Sequence, residues 1–82
     1  MRIINVIYLT GGVLNDVVSF PILEDQLSED VVSEAENYFI EQIYALYPEK
    51  HYSTKEEEKF IEDGRFEYGK NELLLTWSDV KL

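Results

Sequence analysis

The chain has 82 residues, a mass of 9.6 kDa and a formal net charge of −10, with 45 % apolar, 13 % aromatic and 29 % charged residues. That is the composition of a globular rather than a disordered chain, and its length supports one small domain burying roughly 60–65 % of its unfolded surface. With no cysteine, disulfides, thiolate metal sites and a cysteine nucleophile are excluded.

Residues 3–9 form an apolar run broken only by Asn5 and preceded by Arg2. The run is too short for a membrane helix, which needs about 20 apolar residues, and Thr10-Gly11-Gly12 follows where a signal peptide would continue. It reads as a first strand, and the expected compartment is the cytoplasm. Residues 13–20 read as a second strand, because Gly11-Gly12 supplies the positive φ values of a two-residue hairpin turn. Such a turn sets Leu9 opposite Leu14, Ile7 opposite Asp16, Asn5 opposite Val18 and Ile3 opposite Phe20. Both faces of this hairpin are largely apolar, so period two does not select the core side. Our reading places Ile3, Ile7, Leu9, Leu14, Val18 and Phe20 in the core. Ile4, Val6, Tyr8, Val13 and Val17 are then left for a partner or the C-terminal tail to cover. Pro21 lacks the N–H a ladder needs and ends the second strand.

A long helix is expected from Ser28 to about Tyr47, since Pro48 disfavours helical geometry in the residue before it. Glu29 and Asp30 suit the positive end of its dipole, and Leu27 with Val32 has the spacing of a hydrophobic staple. At about 100° per residue, Val32, Ala35, Phe39, Ile43 and Leu46 fall on one stripe, which should meet the sheet. Val31 and Tyr38 flank that stripe on one side, and Ile40, Tyr44 and Tyr47 on the other. Ser53-x-x-Glu56 is a capping box opening a second, shorter helix that Gly64 closes. Only Phe60 and Ile61 are apolar within it. Residues 65–68 read as a short strand or extended segment, Gly69-Lys70-Asn71 as a turn, and 72–78 as a final strand with Leu73, Leu75 and Trp77 on one face. The expected fold is a small α+β domain in the order ββααβ, one mostly antiparallel sheet with the helices on one face. The layout resembles many short bacterial and phage proteins in shape, and that resemblance implies no function.

The net charge is confined to the middle of the chain. Residues 1–23 and 64–82 are each neutral, whereas 24–63 hold thirteen acids against Lys50, Lys55 and Lys59, the entire −10. Such a field repels nucleic acid and anionic membranes and attracts a basic protein surface. The sequence offers no catalytic, cofactor-binding or metal-ligating constellation. His51, the only histidine, has no partner in its neighbours, and Thr10 and Ser19 have no histidine to activate them. Glu56, Glu57 and Glu58 point about 100° apart and lack the alternating ligands and turn glycine of a calcium loop, so they read as a solvated helix face. Gly11-Gly12 opens a strand, not the helix that follows a phosphate-binding loop.

Two groups of residues stand out from this background. Glu62 and Asp63 lie in the last turn of the short helix, against the negative end of its dipole, with Lys59 and Arg65 near enough in sequence to pair with them. Ile40, Tyr44 and Tyr47, joined by Tyr52 in the connection, form an edge surplus to the core stripe, with Glu36 and Glu41 beside it. Tyrosine is favoured in interfaces because it combines apolar area with a polar tip. Burial beneath the short helix is the alternative for that edge. The expectation is a non-enzymatic protein-interaction or regulatory module with no cofactor, which binds a basic protein surface or a second copy of the chain. The alternatives are a nucleic-acid mimic that inhibits a DNA-binding protein, and a structural subunit of a larger assembly.

Overall fold

Apolar runs at both ends of the chain, with a helical period between them, build one sheet covered on one face by helices. The computed structural model describes residues 1–23 and 27–79. Its elements are β1 (Arg2–Thr10), β2 (Val13–Ile22), α1 (Ser28–Leu46), α2 (Thr54–Asp63), β3 (Arg65–Tyr68) and β4 (Asn71–Asp79). The sheet runs β2-β1-β4-β3 with every neighbour antiparallel, so the first and last strands form its centre. This is the expected α+β architecture, with residues 65–68 a strand in their own right. Among the described residues no helix is long and apolar enough to cross a membrane.

The first hairpin turns at Gly11 and Gly12, both with positive φ, as a two-residue turn that matches strand twist requires. Beyond the turn the register departs from the simple count. Leu9 pairs with Leu14, but Tyr8 pairs with Asp16, so Asn15 is an extra residue bulged out of β2. A bulge exchanges the two faces of its strand for every residue that follows. Val18 and Phe20 therefore lie opposite Val6 and Ile4 instead of Asn5 and Ile3. This corrects the expected core. Ile4 and Val6 are buried beneath α1, whereas Ile3, Ile7, Leu9 and Leu14 lie on the face without helices. Val18 and Phe20 keep the inward position expected of them, and the C-terminal tail proposed as a cover falls, from residue 80 on, outside the described residues. Pro21 does not end β2, which continues to Ile22. As a sheet edge, β2 has one side free of ladder bonds, where a missing N–H is tolerated.

Helix α1 lays Val31, Ala35, Phe39 and Ile43 on the sheet, with Val32 and Leu46 half-buried beside them. The stripe is the expected one rotated slightly toward Val31. Phe39 and Ala35 are fully buried, and Phe39 meets Val6, Ile43, Phe66 and Leu73 in the main core cluster. The expected staple does not form: Leu27 occupies the N-cap position and is 72 % exposed. At the other end Tyr47 caps the helix, its N–H donating to the Ile43 carbonyl at 3.1 Å.

Candidate functional site

The second helix settles against the flank of α1 that carries Ile40 and Tyr44. Its start is fixed by the capping box read from the sequence. The Glu56 N–H donates to Ser53 Oγ and the Ser53 N–H donates to Glu56 Oε1, both at 3.2 Å. Its end is fixed by Gly64, left-handed at φ 66°, whose N–H donates to the Phe60 carbonyl at 2.8 Å. Between these ends Phe60 reaches a ring cluster with Tyr52 and Phe66 at centroid distances of 5.0–6.0 Å.

Tyr44 joins the two helices and their connection. Its hydroxyl donates to Glu57 Oε2 at 3.0 Å and accepts from the Tyr52 N–H at 3.3 Å. Its ring lies 5.8 Å from that of Tyr52. Partial burial raises the Tyr44 phenol above the ordinary tyrosine range; the Tyr52 backbone contact opposes this and the Glu57 carboxylate reinforces it. Burial likewise raises Tyr52, helped by Tyr47, Glu56 and Tyr44. Both phenols therefore keep their protons at neutral pH, and Tyr44 serves Glu57 as a donor.

A furrow runs along the seam between the helices. One part, of 480 Å³, has Ile40, Tyr44 and Ile61 as its floor and Glu41, Glu57 and Glu58 on its borders, with Asn37 and Thr54 completing the walls. The other, of 200 Å³, continues past Ile61 to Val32, Leu75 and Trp77 and is bordered by Glu36, Glu62 and Asp63. Among the described residues that line it there are six carboxylates and no basic side chain. Beyond its far end the Arg2 guanidinium stacks 4.4 Å above the Trp77 ring and approaches Asp79 at 3.7 Å.

Of the residues singled out in the sequence, Ile40, Tyr44, Glu36, Glu41, Glu62 and Asp63 come together along this furrow. Tyr47 and Tyr52 do not. Tyr47 stacks on Tyr68 at 4.5 Å, and Tyr52 belongs to the ring cluster under the connection. Arg65 is directed at Glu67 and Glu72, so among the described residues Glu62 and Asp63 have no ion-pair partner. Glu57, Glu58, Ile61 and Trp77 were missed. A signal for three of them was present: Asn37, Ile40, Glu41 and Tyr44 repeat the spacing i, i+3, i+4, i+7, as do Thr54, Glu57, Glu58 and Ile61. Two such stripes on consecutive helices can face each other.

This arrangement presents charge and apolar area. Among the described residues no three histidine or acidic side chains converge to hold a metal ion. A separate cavity of 130 Å³ opens between α1 and the sheet at Tyr8, Asp16, Tyr38 and Gln42. It is well below the roughly 300–1,000 Å³ of small-molecule sites. Compared with known proteins, the chain matches no family model, no curated protein and no solved structure.

Proposed function

We propose that this protein is a non-enzymatic interaction module of the cytoplasm, whose α1–α2 furrow receives a basic protein segment with an apolar anchor. The observation that carries the reading is the pairing of a half-buried apolar floor with a border that is acidic throughout. Ile40 and Ile61 offer the anchor its contact. The carboxylates steer a cationic partner and raise its association rate, whereas the anchor sets the dissociation rate. Nucleic acid is repelled by the same field.

The test is affinity capture from the native host with the wild-type chain and a Glu41→Gln/Glu58→Gln variant. Both positions are exposed, so the variant should fold normally. The wild type should retain a protein with a basic surface, the variant should lose it, and rising salt should weaken the capture. Retention equal for both chains would refute the furrow as the binding surface. Competition by duplex DNA would identify the captured protein as a DNA-binding protein held by mimicry.

A further inference from the structure

The second face of the sheet carries no helix. On it lie Ile7, Leu9, Leu14, Val17 and Leu74, brought together by the pairings Leu9↔Leu14, Ile7↔Val17 and Ile7↔Leu74, with Ile3 beyond the polar row of Ser19, Asn5 and Thr76. Leu14 and Val17 are 58 % and 42 % exposed, and the patch from Leu9 and Leu14 to Val17, Ile7 and Leu74 spans β2, β1 and β4. Continuous apolar surface on a small domain marks an interface.

Two features say what covers it. Most polar side chains of this face, Thr76 excepted among the described residues, are already partnered within it. Ser19 Oγ donates to Asn5 Oδ1 at 2.8 Å, and Asn5 Nδ2 donates to Ser78 Oγ at 3.1 Å. Arg65, at the corner of the face, is paired with Glu67 and, at 3.0 Å, with Glu72. Covering groups that are already hydrogen-bonded leaves little polar surface unsatisfied. The second feature is charge. The segments that build the sheet, 1–23 and 64–82, are net neutral, and the whole −10 resides in the segment with the helices. Two copies can meet sheet to sheet with all the surplus carboxylates on the outside, whereas a contact through the helices would set them against each other.

We propose that this face packs on the same face of a second copy, giving a two-fold dimer with its sheets inside and its helices outside. Nine-residue central strands at about 3.3 Å per residue, across strands about 4.8 Å apart, make a face of roughly 500 Å² per copy. The total of about 1,000 Å² is at the lower edge of specific interfaces, so the association is weak and concentration-dependent. Edge-to-edge pairing through β2 is opposed by the chain itself. The Asn15 bulge, the Asp16 carboxylate turned toward the helix side, and Pro21 all blunt that edge. Each molecule is 17 Å through its shortest extent, and stacked sheets lie about 10 Å apart. The helical layers of the dimer are thus separated by more than the Debye length of about 8 Å at physiological salt. What repulsion remains between them is screened further as salt rises. The dimer therefore tightens with salt, the opposite of a basic partner in the furrow.

Sedimentation equilibrium of the full chain, from roughly 1 to 500 µM to bracket a weak association, tests this. The mass should climb from 9.6 kDa toward twice that value, and at lower protein concentration in high salt than in low salt. Leu14→Lys and Val17→Lys, both at exposed positions, should each hold the chain at the monomer mass with an unchanged circular dichroism spectrum. Glu58→Gln in the furrow should leave association intact. Monomer mass at every concentration would assign the face to another protein or to a segment of this chain and overturn the proposal. A dimer that persists in both lysine variants would overturn it as well.

Discussion

At Gly64 two requirements coincide in one residue. Its φ is positive, and a Cβ there would sit 2.8 Å from the Leu75 carbonyl oxygen. The same approach lets the Leu75 N–H donate to the Gly64 carbonyl at 2.9 Å, which ties the end of α2 to β4. Gly69 has a similar φ of 61° but nothing within 4 Å of its Cβ position. Alanine at Gly69 should therefore lose only the left-handed conformational preference, about 1–2 kcal/mol. Gly64→Ala must also push α2 away from β4, so urea denaturation should show a larger loss for it than for Gly69→Ala. Equal losses would mean that the approach relaxes freely. A second prediction concerns Tyr44 and Tyr52, whose phenols burial raises above the ordinary range. A raised folded pKa means that the native chain holds a proton the unfolded chain has already released. Stability from this source is intact below the unfolded value of about 10 and falls as pH rises through the folded one. Thermal melts at alkaline pH should show that decline, and Tyr44→Phe should flatten it. An unchanged alkaline decline in both Tyr44→Phe and Tyr52→Phe would remove the phenols as its cause.

The two helices differ in what anchors them. Helix α1 sets four buried side chains on the sheet, whereas α2 has none buried and rests on the half-buried Phe60 and Ile61. Its capping box and Gly64 hold its ends, yet Glu58 and Glu62 repel each other at i, i+4 and acids occupy its C-terminal turn. The amides of α2 should therefore exchange with solvent faster than those of α1. Ser53→Ala should cost about 1 kcal/mol and widen the difference. Hydrogen exchange resolved by residue decides this, and equal protection would mean that the ring cluster holds α2 as firmly as the sheet holds α1. These elements were legible in the sequence because their signals are local. The Gly-Gly turn, the Phe39 stripe, the Ser53 box and the Gly64 stop each act within a few residues. The core side of the hairpin was not legible. It depends on one bulged residue, Asn15, in a strand whose two faces are almost equally apolar, so no hydrophobic period betrays the shift. Of the candidate site, the α1 half could be read from the surplus of Ile40 and Tyr44 over the core stripe. Of the α2 half, Glu62 and Asp63 stood out against the helix dipole, and the spacing of Thr54, Glu57, Glu58 and Ile61 was present. That this stripe faces the one on α1 depends on how the helices pack, which no local signal carries.

Across the whole molecule, folding separates charge into a neutral sheet and an acidic helical layer. The six carboxylates along the furrow come from α1 and α2, which the unfolded chain holds apart and the native chain brings side by side. Their mutual repulsion therefore opposes folding. Attractive pairs seen among the described residues include Arg2 with Asp79 and Arg65 with Glu67 and Glu72. These pairs are largely exposed, and such pairs contribute only about 0–1 kcal/mol each. Salt screens attraction and repulsion alike, so the larger and less compensated of the two decides the sign. With thirteen acids against three lysines in residues 24–63, repulsion is the larger. Raising sodium chloride from about 0.01 to 1 M shortens the Debye length from about 30 to about 3 Å, and the thermal midpoint should rise. Chloride is preferable to sulfate here, because sulfate strengthens apolar burial in its own right. Neutralising Glu58 and Glu62 by Glu→Gln substitution should raise the low-salt midpoint and flatten its dependence on salt. Should the midpoint fall as sodium chloride rises, the exposed arginine pairs would outweigh the furrow, and the acidic layer would impose no strain for a cationic partner to relieve.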